Sequence, residues 1–473
     1  MKILLTGATG YIGKRLLSVL VNEGHSIVCC VRDSKRLDIS IFPISQVCVI
    51  EVDFLNKDSL KNIPKDIDVA YYLIHSMSAS IDDFEHLETE SALNFREALE
   101  KTKVQQVVYL SGIVNGENLS KHLLSRKSVE TILTKASFHL TTLRAGIVVG
   151  SGSASFEIIR DIVEKLPFMI APLWLNTKSQ PIAIRNVIEF LKGVLLKSET
   201  YGQSYDIGGP EVLTYKELLL QFASARNLKR TIVIVPVMTP KLSSYWLYFI
   251  TSTTYKLAVN LVHSMKVEVI CKPNNLSKLL NINLISYRQA IQQAFDKIEQ
   301  QEVLSSWTDA LSNETLEKGI SKFINVPKFG CFNDFKKIKV ADEKLVLKRI
   351  WSIGGKNGWY YADWLWTMRG FLDKLFGGVG LRRGRKNAFE LNAGEALDFW
   401  RVLLADKDEK RLLLYAEMKL PGEAWLEFQI KDGYLFQTAT FRPLGLWGRL
   451  YWYSVLPFHY FIFNGMIRRI ANN

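Results

Sequence analysis

Residues 1–16 read MKILLTGATGYIGKRL. Lys2 to Leu5 form a short apolar run, glycines follow at 7, 10 and 13, and Ile12, Leu16, Leu17 and Leu20 then recur at helical spacing. The pattern predicts strand, tight turn and helix. Gly7 permits the turn, Gly10 lets the backbone approach a pyrophosphate, and Gly13 lets the helix pack closely on the strand, with the helix N-terminus facing phosphate charge. Thr6, Thr9, Tyr11 and Ile12 complete this candidate cofactor-binding loop. A second apolar run, Ser26 to Val31, follows the helix within one βαβ unit, which is the context such a loop requires.

Further apolar runs recur at Val47 to Val52, Val69 to Ile74, Val107 to Leu110 and Leu140 to Val149, separated by helix-like segments such as Leu87 to Glu100. Alternating strands and helices predict an α/β fold, a doubly wound parallel sheet. The 473 residues exceed what one ordinary core holds, so a second domain is expected.

The spacing TGxxGxxG resembles the short-chain dehydrogenase/reductase superfamily, in its extended and atypical branches, whose nucleotide-binding domain is a Rossmann fold. Other stretches match in order. Asp53 and Phe54 resemble the pair that contacts adenine, Ile74, His75 and Ser76 end the fourth strand, and Ser111 to Ile113 match the end of the fifth, where the family usually has a catalytic serine. LRAGIVVGSG at 143–152 resembles the substrate-side turn, and QPIAIRNVIEFL with YDIGGPEVLTYKELL resembles the small lobe. The resemblance covers residues 1–300 and implies a nicotinamide dinucleotide cofactor. After the second strand the chain reads Val31, Arg32, Asp33, Ser34, Lys35, Arg36. Arg32 and Arg36 favour NADP(H) through its 2′-phosphate, whereas Asp33 is the residue type that accepts hydrogen bonds from the ribose of NAD(H).

The superfamily's catalytic Tyr and Lys, four residues apart on one helix face, are replaced by His122 and Arg126 in GENLSKHLLSRKSVE. A His can give up a proton near neutral pH and an Arg can bond ribose hydroxyls, but an imidazole is shorter than a phenol. Ser111, His122 and Arg126 are thus candidate catalytic residues, and the alternative is a site that binds the cofactor without reducing anything.

Residues 301–340 are mixed and polar, with a short helical stretch near Leu304 to Leu316, and are expected to be a linker before a domain at 341–473. In GWYYADWLWTMRGFLDKLF, Tyr360, Trp364, Met368, Leu372 and Phe376 fall at four-residue steps and predict a broad apolar helix face. Strand-like runs follow at Phe399 to Ala405, Arg411 to Lys419, Ala424 to Ile430 and Tyr434 to Phe441, and a final helix from Leu446 to Ile470 is expected to cross the resulting antiparallel sheet. This α+β arrangement resembles the START-like, helix-grip superfamily, whose members hold lipids or other hydrophobic ligands between sheet and helix. GGVGLRRGR, LDFWRVL, AEMKLPGEAWLEF and GLWGRLYWY also resemble an uncharacterised domain family fused behind atypical dehydrogenases in bacteria. The tryptophans are read as core packing or as a ligand cage. Arg382, Arg383, Arg385 and Arg401 are read as an anion clamp or as partners of Glu417, Glu423 and Glu427.

The net charge is +13, but no run of five basic residues appears, so no nucleic acid partner is expected. Five cysteines without CxxC spacing or nearby His pairs predict neither disulfides nor a metal site and fit a reducing cytoplasm. The glycine loop starts too early for a signal peptide to precede it. Tyr245 to Val262 and Tyr451 to Ile467 are apolar but interrupted, so no transmembrane segment is expected and weak membrane-surface contact remains open. The leading expectation is an NAD(P)-dependent oxidoreductase acting on a hydrophobic carbonyl or quinone-like substrate. The rivals are a non-catalytic NADPH-binding sensor or assembly factor, and a lipid carrier regulated by nucleotide.

Overall fold

Strands of the first sheet alternate between two cores. On β1 (Lys2–Thr6), Ile3 and Leu5 face one core while Leu4 faces the other. β2 (Ser26–Val31) divides the same way, with Ile27, Cys29 and Val31 against Val28 and Cys30. Burial on both sides is what a parallel sheet between helical layers demands. The computed structural model describes residues 1–37, 39, 42–74, 84–114, 121–235, 244, 259, 262, 265–299, 326–327, 331–381, 385 and 389–472.

Among the described residues the sheet has seven parallel strands in the order β11-β6-β5-β4-β1-β2-β3. β3 is Val47–Glu51, β4 Val69–Tyr72, β5 Gln106–Gly112, β6 His139–Ala145 and β11 Ser204–Ile207. Helices α1 (Tyr11–Asn22) and α5 (Ile184–Gly193) cover one face, and α2 (Phe84–Leu99) and α3 (Lys121–Thr134) the other. The run expected as one strand from Leu140 to Val149 is two. β6 stops at Ala145, and β7 (Val148–Val149) pairs instead with β10 (Ile182–Ala183). The small lobe adds α4 (Ala154–Lys165), β8 (Phe168–Pro172), β9 (Lys178–Ser179), β12 (Leu213–Thr214), α6 (Tyr215–Ala225), β13 (Thr231–Val235), α7 (Leu276–Leu279) and α8 (Tyr287–Glu299). Thr214 and Glu217 form a reciprocal capping box that fixes the start of α6.

The described residues divide into two compact units, the first reaching to 299 and the second running from 326. The second holds an antiparallel sheet, β14-β19-β18-β17-β16-β15: β14 (Phe332–Lys339), β15 (Ala396–Leu397), β16 (Trp400–Asp406), β17 (Arg411–Ala416), β18 (Gly422–Lys431) and β19 (Tyr434–Pro443). Helices α9 (Glu343–Trp351), α10 (Asp363–Leu375) and α11 (Gly445–Asn472) accompany it. β14 corrects the sequence reading, because Phe332–Lys339 was expected to be linker. It pairs with β19 along its whole length, and the charges of Asp334 and Lys336 at inward positions concealed its alternation. The short helix expected near Leu304 and the apolar stretch from Tyr245 lie outside the described residues.

The apolar stripe on α10 also differs from expectation. Trp364, Met368 and Leu372 are exposed, while Leu365 and Trp366 enter the core. Trp359, Trp366, Trp400 and Phe399 pack on one another, with ring centroids 4.9–6.5 Å apart, which is the core-packing reading of those tryptophans. Asp398 accepts the Trp359 indole N–H at 2.8 Å, and burial pushes its carboxyl pKa up to about 6. No described helix is long and apolar enough to cross a membrane.

Arg401 and Glu417 form a fully buried ion pair. Arg401 Nη2 donates to Glu417 Oε1 at 2.8 Å and Oε2 at 3.1 Å, and Nη1 donates to the Gly394 carbonyl at 2.8 Å. Arg411 pairs with Glu427 and Arg442 with Glu423, while Arg385 donates to the carbonyls of Trp351, Ile353 and Glu390. These arginines are therefore engaged in structure; Arg382, Arg383 and Lys386 lie outside the described residues. His459 on α11 packs edge-on against Trp452 and faces Asp334, Arg369 and Lys336. Burial, reinforced by Arg369 and Lys336 and opposed by Asp334, brings its pKa down to about 4.

Two measurements check this packing. Glu417→Gln strands a buried guanidinium and is expected to cost about 3–5 kcal/mol in urea unfolding. Arg442→Gln, on an exposed pair, should cost less than about 1 kcal/mol. Because His459 is neutral when folded and protonated when unfolded between its two pKa values, its contribution is present above pH 6.5 and is lost as pH falls toward 4. The stability difference between wild type and His459→Gln should change by about 3 kcal/mol across that window.

Candidate functional site

The order of the first sheet reverses at β1, which has β4 on one side and β2 on the other. In open α/β sheets the crevice beyond the strand ends at such a reversal is where ligands bind. Thr6 closes its floor. The buried Thr6 hydroxyl donates to the Tyr71 carbonyl at 2.8 Å and accepts the Leu73 N–H at 3.1 Å, tying β1 to the end of β4.

The three glycines have separate causes. Gly7 has φ +67°, and a Cβ there would lie 2.6 Å from the Leu73 carbonyl oxygen. A Cβ on Gly13 would lie 2.2 Å from the Gly7 carbonyl oxygen, so α1 packs directly on the turn. Gly10 is different. Its φ of −81° and ψ of 174° suit any residue, and among the described residues the one atom within 4 Å of a Cβ built there is the Gly7 oxygen, at 3.2 Å. The Gly10 N–H closes the turn on the Gly7 carbonyl at 2.9 Å. Gly10 is also the N-cap of α1, where no side chain caps the helix and no acidic residue occupies the first turn. By contrast α4 and α6 are capped by Ser153 and Thr214. The result is a cradle of backbone amides with a positive helix end, which among the described residues is open on the side of Gly10.

The neighbouring loop residues divide between ligand side and core. Thr9 is half-buried at the crest. Ile12 packs into the core. The Tyr11 ring lies under the Arg15 guanidinium at 4.1 Å, and Arg15 donates to the Ser151 carbonyl at 2.8 Å. Burial pushes the Tyr11 phenol up to about 12, against the pull of Arg15 and Ser153. A Cβ on Gly150 would stand 2.7 Å from that hydroxyl, so Tyr11 fastens α1 to the turn after β7.

At the end of β2, Arg32 is exposed whereas Asp33 is only 3% exposed, and Arg36 is buried as well. The Ser34 N–H and hydroxyl both donate to Glu51 Oε1, at 2.9 and 2.7 Å. After β3, Asp53 Oδ1 accepts the Leu55 N–H at 3.1 Å, and the Asp53 N–H donates to the Ser59 hydroxyl. Phe54 is buried with its ring 5.5 Å from Phe95, and its carbonyl accepts the Asn94 amide at 2.7 Å. Its side chain is thus part of the core. Ile74 is half-buried against that core; His75 and Ser76 lie outside the described residues.

Ser111 ends β5, buried, on the same face as Tyr109. Burial raises the Tyr109 phenol pKa, against the pull of Arg126 and of the Ser111 hydroxyl. Arg126 reaches this strand end from α3. Its Nη1 donates to the Leu110 carbonyl at 3.0 Å, and its own carbonyl accepts the Tyr109 hydroxyl at 3.3 Å. One residue earlier, the Ser125 hydroxyl donates to buried Glu88 at 2.5 Å. Tyr109, Glu88 and Ser125 were not singled out in the sequence, although Tyr109 is two residues before Ser111 and Ser125 adjoins Arg126. His122 lies one turn before Arg126 on α3, and its side chain is outside the described residues. No described group of His, Cys, Asp or Glu side chains is placed to hold a metal ion.

Comparison with known proteins bears on both units. The NmrA-like family matches residues 1–237, and a family described as Protein of unknown function (DUF2867) matches residues 331–466. The mitochondrial NADH-ubiquinone oxidoreductase 40 kDa subunit of Neurospora crassa is 23% identical over 216 residues, covering 45% of this chain and 56% of that protein. The chloroplastic divinyl chlorophyllide a 8-vinyl-reductase of Arabidopsis thaliana is 23% identical over 227 residues, covering 44% and 54%. The photosystem II assembly factor Ycf39 of Synechocystis is 20% identical over 195 residues, covering 41% and 56%. The chain thus spans about half the length of the curated relatives it matches. A nucleoside-diphosphate-sugar epimerase from Staphylococcus aureus shares the fold at TM-score 0.50 and 16% identity, covering 62% of this chain and 100% of that one. The glycine turn, the reversal at β1 and a match over the first 237 of 473 residues together settle the affiliation: the chain belongs to the NmrA-like family.

Proposed function

We propose that the first unit binds a nicotinamide dinucleotide at the crevice beside β1 and acts as an oxidoreductase on a hydrophobic carbonyl or quinone-like substrate. The observation that carries this reading is Gly10. The fold itself demands glycine at 7 and 13, whereas at 10 a side chain would project from a helix N-terminus that has no side-chain cap, into space that no other described residue occupies within 4 Å apart from the Gly7 oxygen. A pyrophosphate is what that space and charge suit. Gly10, Thr9 and the first-turn amides of α1 would hold the pyrophosphate, and Asp53 the adenine. Arg32 would take a 2′-phosphate. The burial of Asp33 and the exposure of Arg32 support NADP(H) over NAD(H). When bound, the dinucleotide supplies a hydride donor or acceptor. The printed names of two relatives, an NADH-ubiquinone oxidoreductase subunit and a vinyl-reductase, are in keeping with redox work.

One observation favours a second reading, cofactor binding without turnover. Arg126, at the position of the superfamily's lysine, has Nη1 committed to the Leu110 carbonyl, and α3 carries no tyrosine. The assembly factor among the relatives agrees with this role.

The glycines test the site. Gly13→Ala should destabilise the protein by about 2 kcal/mol or more through the clash with Gly7. Gly10→Ala should melt within about 1 kcal/mol of wild type yet bind NADPH at least about tenfold more weakly. Normal NADPH affinity in folded Gly10→Ala would remove the proposed site.

Cofactor choice is read by titrating NADPH and NADH against wild type and Arg32→Ala. A charge-assisted contact of about 1.5–3 kcal/mol predicts a preference for NADPH of about tenfold or more that the variant loses. Oxidation of NADPH over a panel of quinones and aldehydes separates the two readings. Tight binding with no turnover on any acceptor would replace the enzyme with the binding protein.

A further inference from the structure

The outward face of α11 is apolar where a soluble helix would be polar. Gly448, Trp452 and Phe463 form its inward stripe. Trp452 stacks between Phe332 and Phe441 at 5.4 and 5.9 Å, and a Cβ on Gly448 would sit 2.4 Å from the Pro421 carbonyl oxygen, so that side is filled. The opposite side carries Trp447, Leu450, Tyr453, Phe458, Tyr460 and Phe461, all exposed, Trp447 at 77%. A helix apolar on both sides needs a second apolar environment. The patch extends to α10, where Trp364, Phe371 and Phe376 are exposed and where Arg369 donates to the Tyr451 hydroxyl of α11 at 3.4 Å.

Charge selects the occupant. From Phe441 to Asn473 there is no Asp or Glu, and the charged residues are Arg442, Arg449, Arg468 and Arg469. Arg449 is exposed within the aromatic stretch, between Trp447 and Tyr453. Tryptophan and tyrosine with aliphatic residues on one face, arginines beside them and no acid describe a helix that lies in the plane of an anionic lipid surface. α11 does not qualify as a spanning segment, so burial of this face to the depth of its side chains is the available geometry. We propose that the α10–α11 face docks the protein on the surface of an anionic bilayer. The proposal is independent of the dinucleotide reading.

The test is flotation of the full chain with vesicles of phosphatidylcholine alone and of phosphatidylcholine with about 30% phosphatidylglycerol. Association with the anionic vesicles is expected, about tenfold or more stronger than with the neutral ones. Trp447→Ser with Phe458→Ser should weaken it about tenfold without lowering the melting temperature, since both side chains are exposed. Arg449→Gln, one charge fewer, should weaken anionic binding about fivefold and leave neutral binding unchanged. Absence of flotation with either vesicle, or flotation undiminished in the double variant, would overturn the proposal. So would a drop in melting temperature in the double variant, which would mean the face packs within the chain, or self-association without lipid that the double variant abolishes, which would assign it to a second copy.

Discussion

The carbonyl oxygen of Gly7 lies within 2.2 Å of where a side-chain carbon on Gly13 would begin, and the first unit is arranged around that close approach. It brings the start of α1 against the end of β1, and hence its amides over the crevice beside β4. Leu73 presses on Gly7 from the other side, so the turn is clamped between two strands and a helix before any ligand is considered. The strands deliver the loop, and the clamp sets its shape. A site held this way depends on a scaffold already rigid, which lowers the ordering cost that a ligand would otherwise meet.

The second unit rests on a different kind of constraint. Its interior holds an aromatic cluster, with Trp359, Trp366, Phe399 and Trp400 in mutual contact, yet it encloses a bidentate Arg401–Glu417 pair. Such a pair adds little net stability compared with apolar residues of the same size, but it punishes any packing that separates its members. Arg401 lies on β16 and Glu417 directly follows the facing end of β17, so the pair ties these strands to each other. Arg411 with Glu427 does the same, more weakly, between β17 and β18.

Legibility in the sequence followed how local the physics is. The strand, turn and helix at Lys2–Asn22 can be read because glycine spacing and apolar periodicity are short-range signals, and the doubly wound sheet follows from their repetition. The separate roles of the three glycines follow from their spacing, whereas the pressure of Leu73 on Gly7, from 66 residues away, could not be read. The same holds for Phe54, a residue whose place in the motif points at adenine and whose ring is committed to Phe95. On α10 the four-residue period was visible, but which side of it faced inward was not, because Leu365 and Trp366 form an equally apolar edge. Arg126 was legible as a position, while its hold on the Leu110 carbonyl depended on tertiary packing.

The strand that escaped the sequence reading has a consequence of its own. Among the described residues β14 is the outermost strand of its sheet, with no strand paired along its far side, and such edges invite another chain to add on. Asp334, Lys336, Lys337 and Lys339, which disguised it as linker, are the residue types that make strand addition unfavourable. The opposite edge, β15, is guarded by being two residues long. A unit that already displays exposed tryptophan and phenylalanine on its helices thus keeps its sheet margins resistant to amyloid-like pairing, leaving its adhesiveness to the helical face alone.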